Sequence, residues 1–430
     1  MPLQKHVSLN LNVRGLGQSP TLAINERVKL LQSQGNKIYN FGLGQSPFPV
    51  PVPVVEALRL HAHEKEYLPV KGLNNLKEAV AGFHRQKDLV DANAGCVLVG
   101  PGSKELMFLL QLVFYGEMIV PTPCWVSYVP QAQVLGKRVS LLHTSFEDKW
   151  HISANRLSEL LEGEKDLYRP RLLVLNYPGN PDGLTYTANE LKEIADVARE
   201  YEIILLSDEI YGQLHHKGGH VSVARFYPEG TIISSGLSKW CGAGGWRLGT
   251  FTFPSSLDWL MEAMAAVASE TYTSVSSPIQ YAAVEAFRGS MAIERYLWHA
   301  RRILSTLGQK CYRILADAGV RIHPPEGAFY MFPDFSPFAE KLAAKNIKSS
   351  SRLCEQLLQD TGIAMLPGSV FERPGEELTA RISYINFAGA QSLAASETIA
   401  MHHELTEEFI KAYCGETIEA TQMLADWLTG

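Results

Sequence analysis

Six short aliphatic runs constrain this chain more than anything else in it: CVLVG at 96–100, EMIVP at 117–121, RLLVLN at 171–176, EIILLSDE at 202–209, TIISSG at 231–236 and GTFTF at 249–253. A strand that is apolar on both faces needs cover on both, which a parallel sheet between two helix layers supplies. Amphipathic stretches between the runs, such as ANELKEIADVAREY at 188–201, provide that cover. The central part therefore reads as α/β: a three-layer large domain with a mostly parallel mixed sheet.

From Pro278 a helical pattern without proline continues past residue 310, which suits a helix or helix pair leaving the central domain. Beyond it, strand-like GAFYMFPDF, GIAMLPG and ARISYINF alternate with helical stretches near 352–360 and 390–400, the pattern of a smaller α+β domain. PFPVPVP at 47–53 excludes a central strand or helix interior and reads as an extended crossing segment. The N-terminal part is expected to join the C-terminal part. The expected division is 48–288 for the large domain, and 1–47 with 289–430 for the small one.

A formal net charge of −6, with Lys and Arg dispersed, gives no footprint for nucleic acid. No apolar run approaches the roughly 20 residues that span a bilayer, and MPLQKHVSLNLNVRG has no hydrophobic core before a cleavage site. A cytoplasmic location without membrane contact is expected. The six cysteines form no CxxC pair and no HExxH occurs, so neither a disulfide framework nor a metal site is expected.

Open α/β sheets bind ligands beyond the carboxyl ends of their strands, so polar residues there bear the chemistry. The first run opens into GPGSKEL, where Gly100, Gly102 and Ser103 precede a helix: either an anion site on free N–H groups or a tight turn capped by Ser103. RLLVLN enters NYPGNPDG, in which prolines hold Asn176 and Asn180 in a rigid turn. EIILLSDE ends on Asp208 and Glu209, with Tyr211 following; Asp208 either caps the next segment or holds a positive ligand atom. TIISSG leads to Lys239, a residue type that becomes a nucleophile when desolvation lowers its pKa. An anion site, an acid for a protonated ring nitrogen and a strand-end lysine together suit pyridoxal phosphate.

Over nearly its whole length the chain resembles the class I/II aminotransferases of fold type I. SKWCGAGGWRLG is similar to that family's lysine signature, with Arg247 eight residues after Lys239. The resemblance implies that Lys239 carries pyridoxal 5'-phosphate as a Schiff base and that Arg247 binds its phosphate. It further implies that Asp208 pairs with the pyridine nitrogen, and that Tyr211 and Asn180 reach the ring hydroxyl oxygen. Ser103 and Lys104 of GPGSKEL match the phosphate turn, and Trp125 of PTPCWVSY the residue stacked on the ring. Gly44 of NFGLGQSPFPVP lies, by the same match, beside the substrate. Arg381 of ARISYINF would clamp the substrate α-carboxylate with a bidentate fork. Tyr67 of EYLPVKGLNNL would reach the phosphate of a neighbouring subunit, which implies a homodimer with shared active sites.

Two positions depart from the family pattern. Gly236 stands where many relatives carry a phosphate-binding serine, with Ser235 and Ser238 nearby. SETYTSVSSP has Tyr272 and no arginine where dicarboxylate-specific members place one. The activity implied is ping-pong transfer of an amino group from an L-amino acid to a 2-oxo acid. A lyase on the same scaffold, such as a carbon–sulfur β-lyase or cyclopropane-forming synthase, is the alternative; pyruvate release without an oxo-acid acceptor would distinguish it. A non-catalytic cofactor-sensing regulator would need a DNA-binding module before the fold. A nicotinamide dehydrogenase would need the GxGxxG spacing that CGAGGWRLG lacks.

Overall fold

The alternation of buried faces along the aliphatic runs builds the central sheet. In the computed structural model, which describes residues 9–163, 166 and 169–430, seven strands form it. In chain order these are β1 (Val97–Gly100), β2 (Glu117–Thr122), β3 (Val139–His143), β4 (Arg171–Asn176), β5 (Ile204–Asp208), β6 (Thr231–Gly236) and β7 (Gly249–Thr252). The spatial order is β1-β7-β6-β5-β4-β2-β3, with β7 antiparallel to both neighbours and all other pairs parallel.

Residues of successive parity bury on opposite sides, as the two-residue period of a strand requires. Leu172 and Val174 pack with the helices Ser103–Val113 and Asp258–Glu270, whereas Leu173 and Leu175 pack with Ala154–Glu162 and Ala188–Glu200. The helix Ala188–Glu200 begins with a capping box in which Thr187 and Glu190 each satisfy the other's backbone N–H. All six cysteines are buried and unbridged.

β3 has no counterpart among the six runs. It is the edge strand, only partly covered along most of its length, so RVSLLH carries no uniform apolar signature. PFPVPVP is extended only in part: Pro51 is the N-cap of the helix Val52–His61, and Pro53 sits in its first turn, where no backbone N–H donor is needed. Ser103 is likewise not a cap. Gly102 takes that position at φ 93°, in the region favouring glycine, and the helix starts at Ser103.

The helical stretch after Pro278 is two helices, Ser277–Arg288 and Met291–Asp317, parted by Gly289 at φ 70° and restarted by the Ser290 cap on Ile293 N–H. Chain ends meet beside them. Tyr39–Asn40 pairs in parallel with Ile363–Ala364, and Tyr330–Met331, Ala380–Ser383 and Leu366–Pro367 form an antiparallel triplet. The last helix, Glu407–Thr429, packs along Met291–Asp317; sequence reading did not mark it. Residues 1–8, part of the N-terminal segment read for a leader, lie outside the described residues. No helix among the described residues is long and apolar enough to cross a membrane.

Candidate active site

Parallel register sets three strand ends side by side: Asn176 of β4 opposite Asp208 of β5, and Asp208 opposite Ser234 of β6. A cavity of about 460 Å³ opens there. Gly44, Trp125, Asn180, Asp208 and Tyr211 line it, as do Ser103, Lys104, Lys239 and Arg247. Residues from more than 200 positions apart thus share one wall. Ser19, Thr21 and Leu22, at the start of the helix Pro20–Ser33, complete it.

Asp208 is a buried carboxylate whose pKa burial raises to about 6, against the hydrogen bonds it accepts. Tyr128 Oη donates to Oδ2 at 2.6 Å, and Ser234 Oγ to Oδ1 at 3.3 Å. Lys239 Nζ donates to the Gly44 carbonyl at 2.6 Å and lies 5.5 Å from the Tyr211 ring centre. Desolvation and the charge of Arg381 lower its pKa to about 8. Tyr211 shares a 2.8 Å hydrogen bond with Tyr330, and burial pushes its pKa well above the ordinary value, so its hydroxyl stays a donor.

The opposite end of the cavity is built for an anion. The first N–H groups of the helix Ser103–Val113 carry no side-chain cap. Arg247, itself at φ 55°, is tied by its guanidinium to the carbonyls of Gly244 (3.0 Å) and Pro101 (3.2 Å), and a Cβ on Gly102 would overlap that guanidinium. Ser238 also lines the cavity, whereas Ser235 does not. Lys104 has its pKa lowered by desolvation and by Arg247; its ammonium lies 5.2 Å over the Trp125 ring and has no carboxylate partner among the described residues.

Arg381 stands behind this wall rather than on it. It is 1 % exposed, donates to Asn180 Oδ1 at 3.0 Å and Gly42 O at 2.5 Å, and stacks on Tyr330 and Phe371. No acid pairs with this buried guanidinium among the described residues, and its Nε has no acceptor. Tyr67 is not among the residues that line the cavity; it is 89 % exposed. Tyr272 turns its hydroxyl to the Val99 carbonyl at 3.2 Å.

Two further residues of the site, Tyr128 of PTPCWVSY and Tyr330 of GAFYMFPDF, carry no local signal of their contacts with Asp208 and Tyr211. Glu209 belongs to a separate buried cluster: it accepts from His220 at 2.8 Å, Ser222 at 2.6 Å and Ser207 at 2.8 Å. Asp88, Glu209 and His220 offer atoms within 4.8 Å of one another that could hold a metal ion. These groups are already committed to one another, since Asp88 also pairs with His84 at 2.7 Å.

An α/β sheet that gathers a desolvated lysine, a buried acid and an anion cradle at its strand ends is the framework of an enzyme that handles amino groups. The model of the family described as aminotransferase class I and II matches residues 36–394, and the chain belongs to that family. It is a transaminase. The aspartate aminotransferase of Bacillus sp. strain YM-2 is 30 % identical over 382 residues, covering 86 % of this chain and 93 % of that protein. The asparagine–oxo-acid transaminase of Streptococcus mutans is also 30 % identical, over 87 % of this chain and 94 % of the relative. Among solved structures, the aspartate aminotransferase of Thermus thermophilus with maleate superposes with a TM-score of 0.81 at 28 % identity, over 97 % of this chain and 99 % of that one.

Proposed function

We propose that the cavity holds pyridoxal 5'-phosphate and that Lys239, Asp208 and Tyr211 carry the amino transfer from an L-amino acid to a 2-oxo acid. The observation that carries this is Lys239, with its pKa lowered to about 8, in one cavity with the buried acid Asp208 and the cradle at Arg247. The donor set fits the cofactor. The uncapped helix start, Ser103 and Arg247 suit its phosphate, Trp125 its ring face, and Asp208 a protonated ring nitrogen.

When bound, pyridoxal phosphate supplies a carbonyl for nitrogen and an electron sink that acidifies the bond to the α-hydrogen. The chain does the rest. Asp208, its carboxylate directed by Tyr128 and Ser234, would keep the ring nitrogen protonated. Asn180 and the Tyr211 hydroxyl would donate to the ring oxygen. Arg381, buried without an acid of its own, takes the substrate α-carboxylate. Lys239 Nζ, neutral in an appreciable fraction near pH 7, accepts the α-proton and returns it, as base and then acid. Release of the oxo acid leaves the amino group on the enzyme for the second half of a ping-pong cycle.

Two finer readings belong to the same proposal. The donor carries a second carboxylate, a reading supported by the relatives named above, which include aspartate aminotransferases. The working form is a homodimer in which Tyr67 serves the neighbouring subunit, consistent with its exposure here. The same proposal keeps 48–288 as a large cofactor-binding domain and 1–47 with 289–430 as a small one.

A panel of aspartate, alanine and aromatic donors against 2-oxoglutarate, oxaloacetate and pyruvate tests the activity. Aspartate with 2-oxoglutarate is expected to lead, and Lys239→Ala to abolish both turnover and the visible absorbance of lysine-bound cofactor. Transamination by that variant at the wild-type rate would overturn the assignment.

A further inference from the structure

A second cavity, of about 240 Å³, lies behind the lysine-bearing loop, where the ends of the helices Asn74–Phe83 and Ser277–Arg288 meet the start of Met291–Asp317. Its floor is aromatic. Phe287 packs edge-on against both Phe83 (centroids 5.6 Å apart) and Trp240 (6.3 Å). Apolar cavities of about 150 Å³ already accept a benzene ring, so this one has room for a ring with a substituent.

We propose that this cavity is a second ligand site, for an aryl carboxylate. Trp240 is 2 % exposed and lines the cavity, yet its indole Nε1–H has no acceptor among the described residues. A buried donor of this kind is costly to leave unmade, and a ligand oxygen would satisfy it. At the rim Lys87 and Glu294 neutralise each other at 2.6 Å. Arg288, exposed on the same rim, has no ion-pair partner among the described residues. The 27-residue helix Met291–Asp317 also begins beside it, but its first turn is capped by Ser290 and carries Glu294, so Arg288 is the positive group that faces a ligand there.

The charge balance separates ligand classes. Arg288 and the unsatisfied Trp240 N–H call for a carboxylate, but no unpaired acid on the rim would meet an ammonium, because Glu294 is taken by Lys87. An aromatic amino acid is therefore disfavoured, and an aromatic acid without an amino group fits. Trp240 directly follows Lys239, so the occupant would touch the loop that carries the catalytic amine.

The probe is 4-fluorophenylacetate, titrated into the holoenzyme by fluorine NMR and calorimetry. Binding near one equivalent per chain at millimolar or lower concentration is expected. Arg288→Ala, an exposed change outside the catalytic cavity, should weaken it at least fivefold while leaving basal transamination unchanged. Ala286→Leu, which fills part of the cavity, should also weaken it, with circular dichroism checking the fold. No binding to the wild type, or equal affinity in Arg288→Ala, would overturn the proposal.

Discussion

Asp208 ends β5 where ionisation is costly, and the hydroxyl of Tyr128 at 2.6 Å offsets part of that cost. Because the ionised carboxylate is the form that pairs with a protonated ring nitrogen, cofactor retention should fall as pH drops through the Asp208 pKa, raised to about 6. The Tyr128 bond lowers that pKa. Tyr128→Phe removes it, so retention should be lost on acidification at a pH higher by about one unit, the equivalent of roughly 1.4 kcal/mol. Cofactor released on dialysis across pH 5 to 8 measures this, and superimposable curves for the two proteins would refute it. Asn176, Asp208 and Lys239, which line the cavity, were legible as candidates because each ends or closely follows a recognisable run. Their supports were not. Tyr128 meets Asp208 across 80 residues, and Arg381 meets Asn180 across 201, separations over which no local pattern reports a contact.

Among the elements, β6 and β7 explain the glycine that departs from the family pattern. Gly236 pairs with Gly249 in antiparallel register, and a Cβ at 236 would lie 2.8 Å from the Leu248 carbonyl oxygen and 3.0 Å from Gly249 Cα. A Cβ at 249 would overlap the backbone at Gly102 and Ser103. The two glycines thus let β7 press against the helix start at Gly102 and Ser103. Gly236→Ser should cost about 1–3 kcal/mol through overpacking and should not tighten cofactor binding. Thermal unfolding and cofactor titration of that variant give the comparison; an unchanged melting temperature with tighter binding would contradict it. Element reading from sequence worked where burial is two-sided, as in β4, and failed at β3, an edge strand with little burial to report. The final helix Glu407–Thr429 was passed over even though Phe409, Ile410, Thr417, Ala420 and Leu424 fall on its buried side, because no motif or proline boundary drew attention to it.

At the scale of the whole molecule, Tyr67 poses the remaining question, since a side chain 89 % exposed in one chain has no part in that chain's cavity. In the proposed homodimer each Tyr67 would reach the other chain's phosphate site, and every active site would draw on both subunits. Mixing two defects separates the possibilities. In a hybrid of one Lys239→Ala chain with one Tyr67→Ala chain, shared sites place both lesions together and leave the second site intact. Such a hybrid, isolated through two different affinity tags, should recover about half of the wild-type activity, well above either parent. Were Tyr67 to act within its own chain, the intact site would not exist, and the hybrid would reach at most half the activity of the Tyr67→Ala homodimer. Full activity of the Tyr67→Ala homodimer would instead remove Tyr67 from the site altogether. The recovery has one further requirement: the surface around Tyr67 must pair in solution, so sedimentation should find two chains per particle at the concentration of the assay.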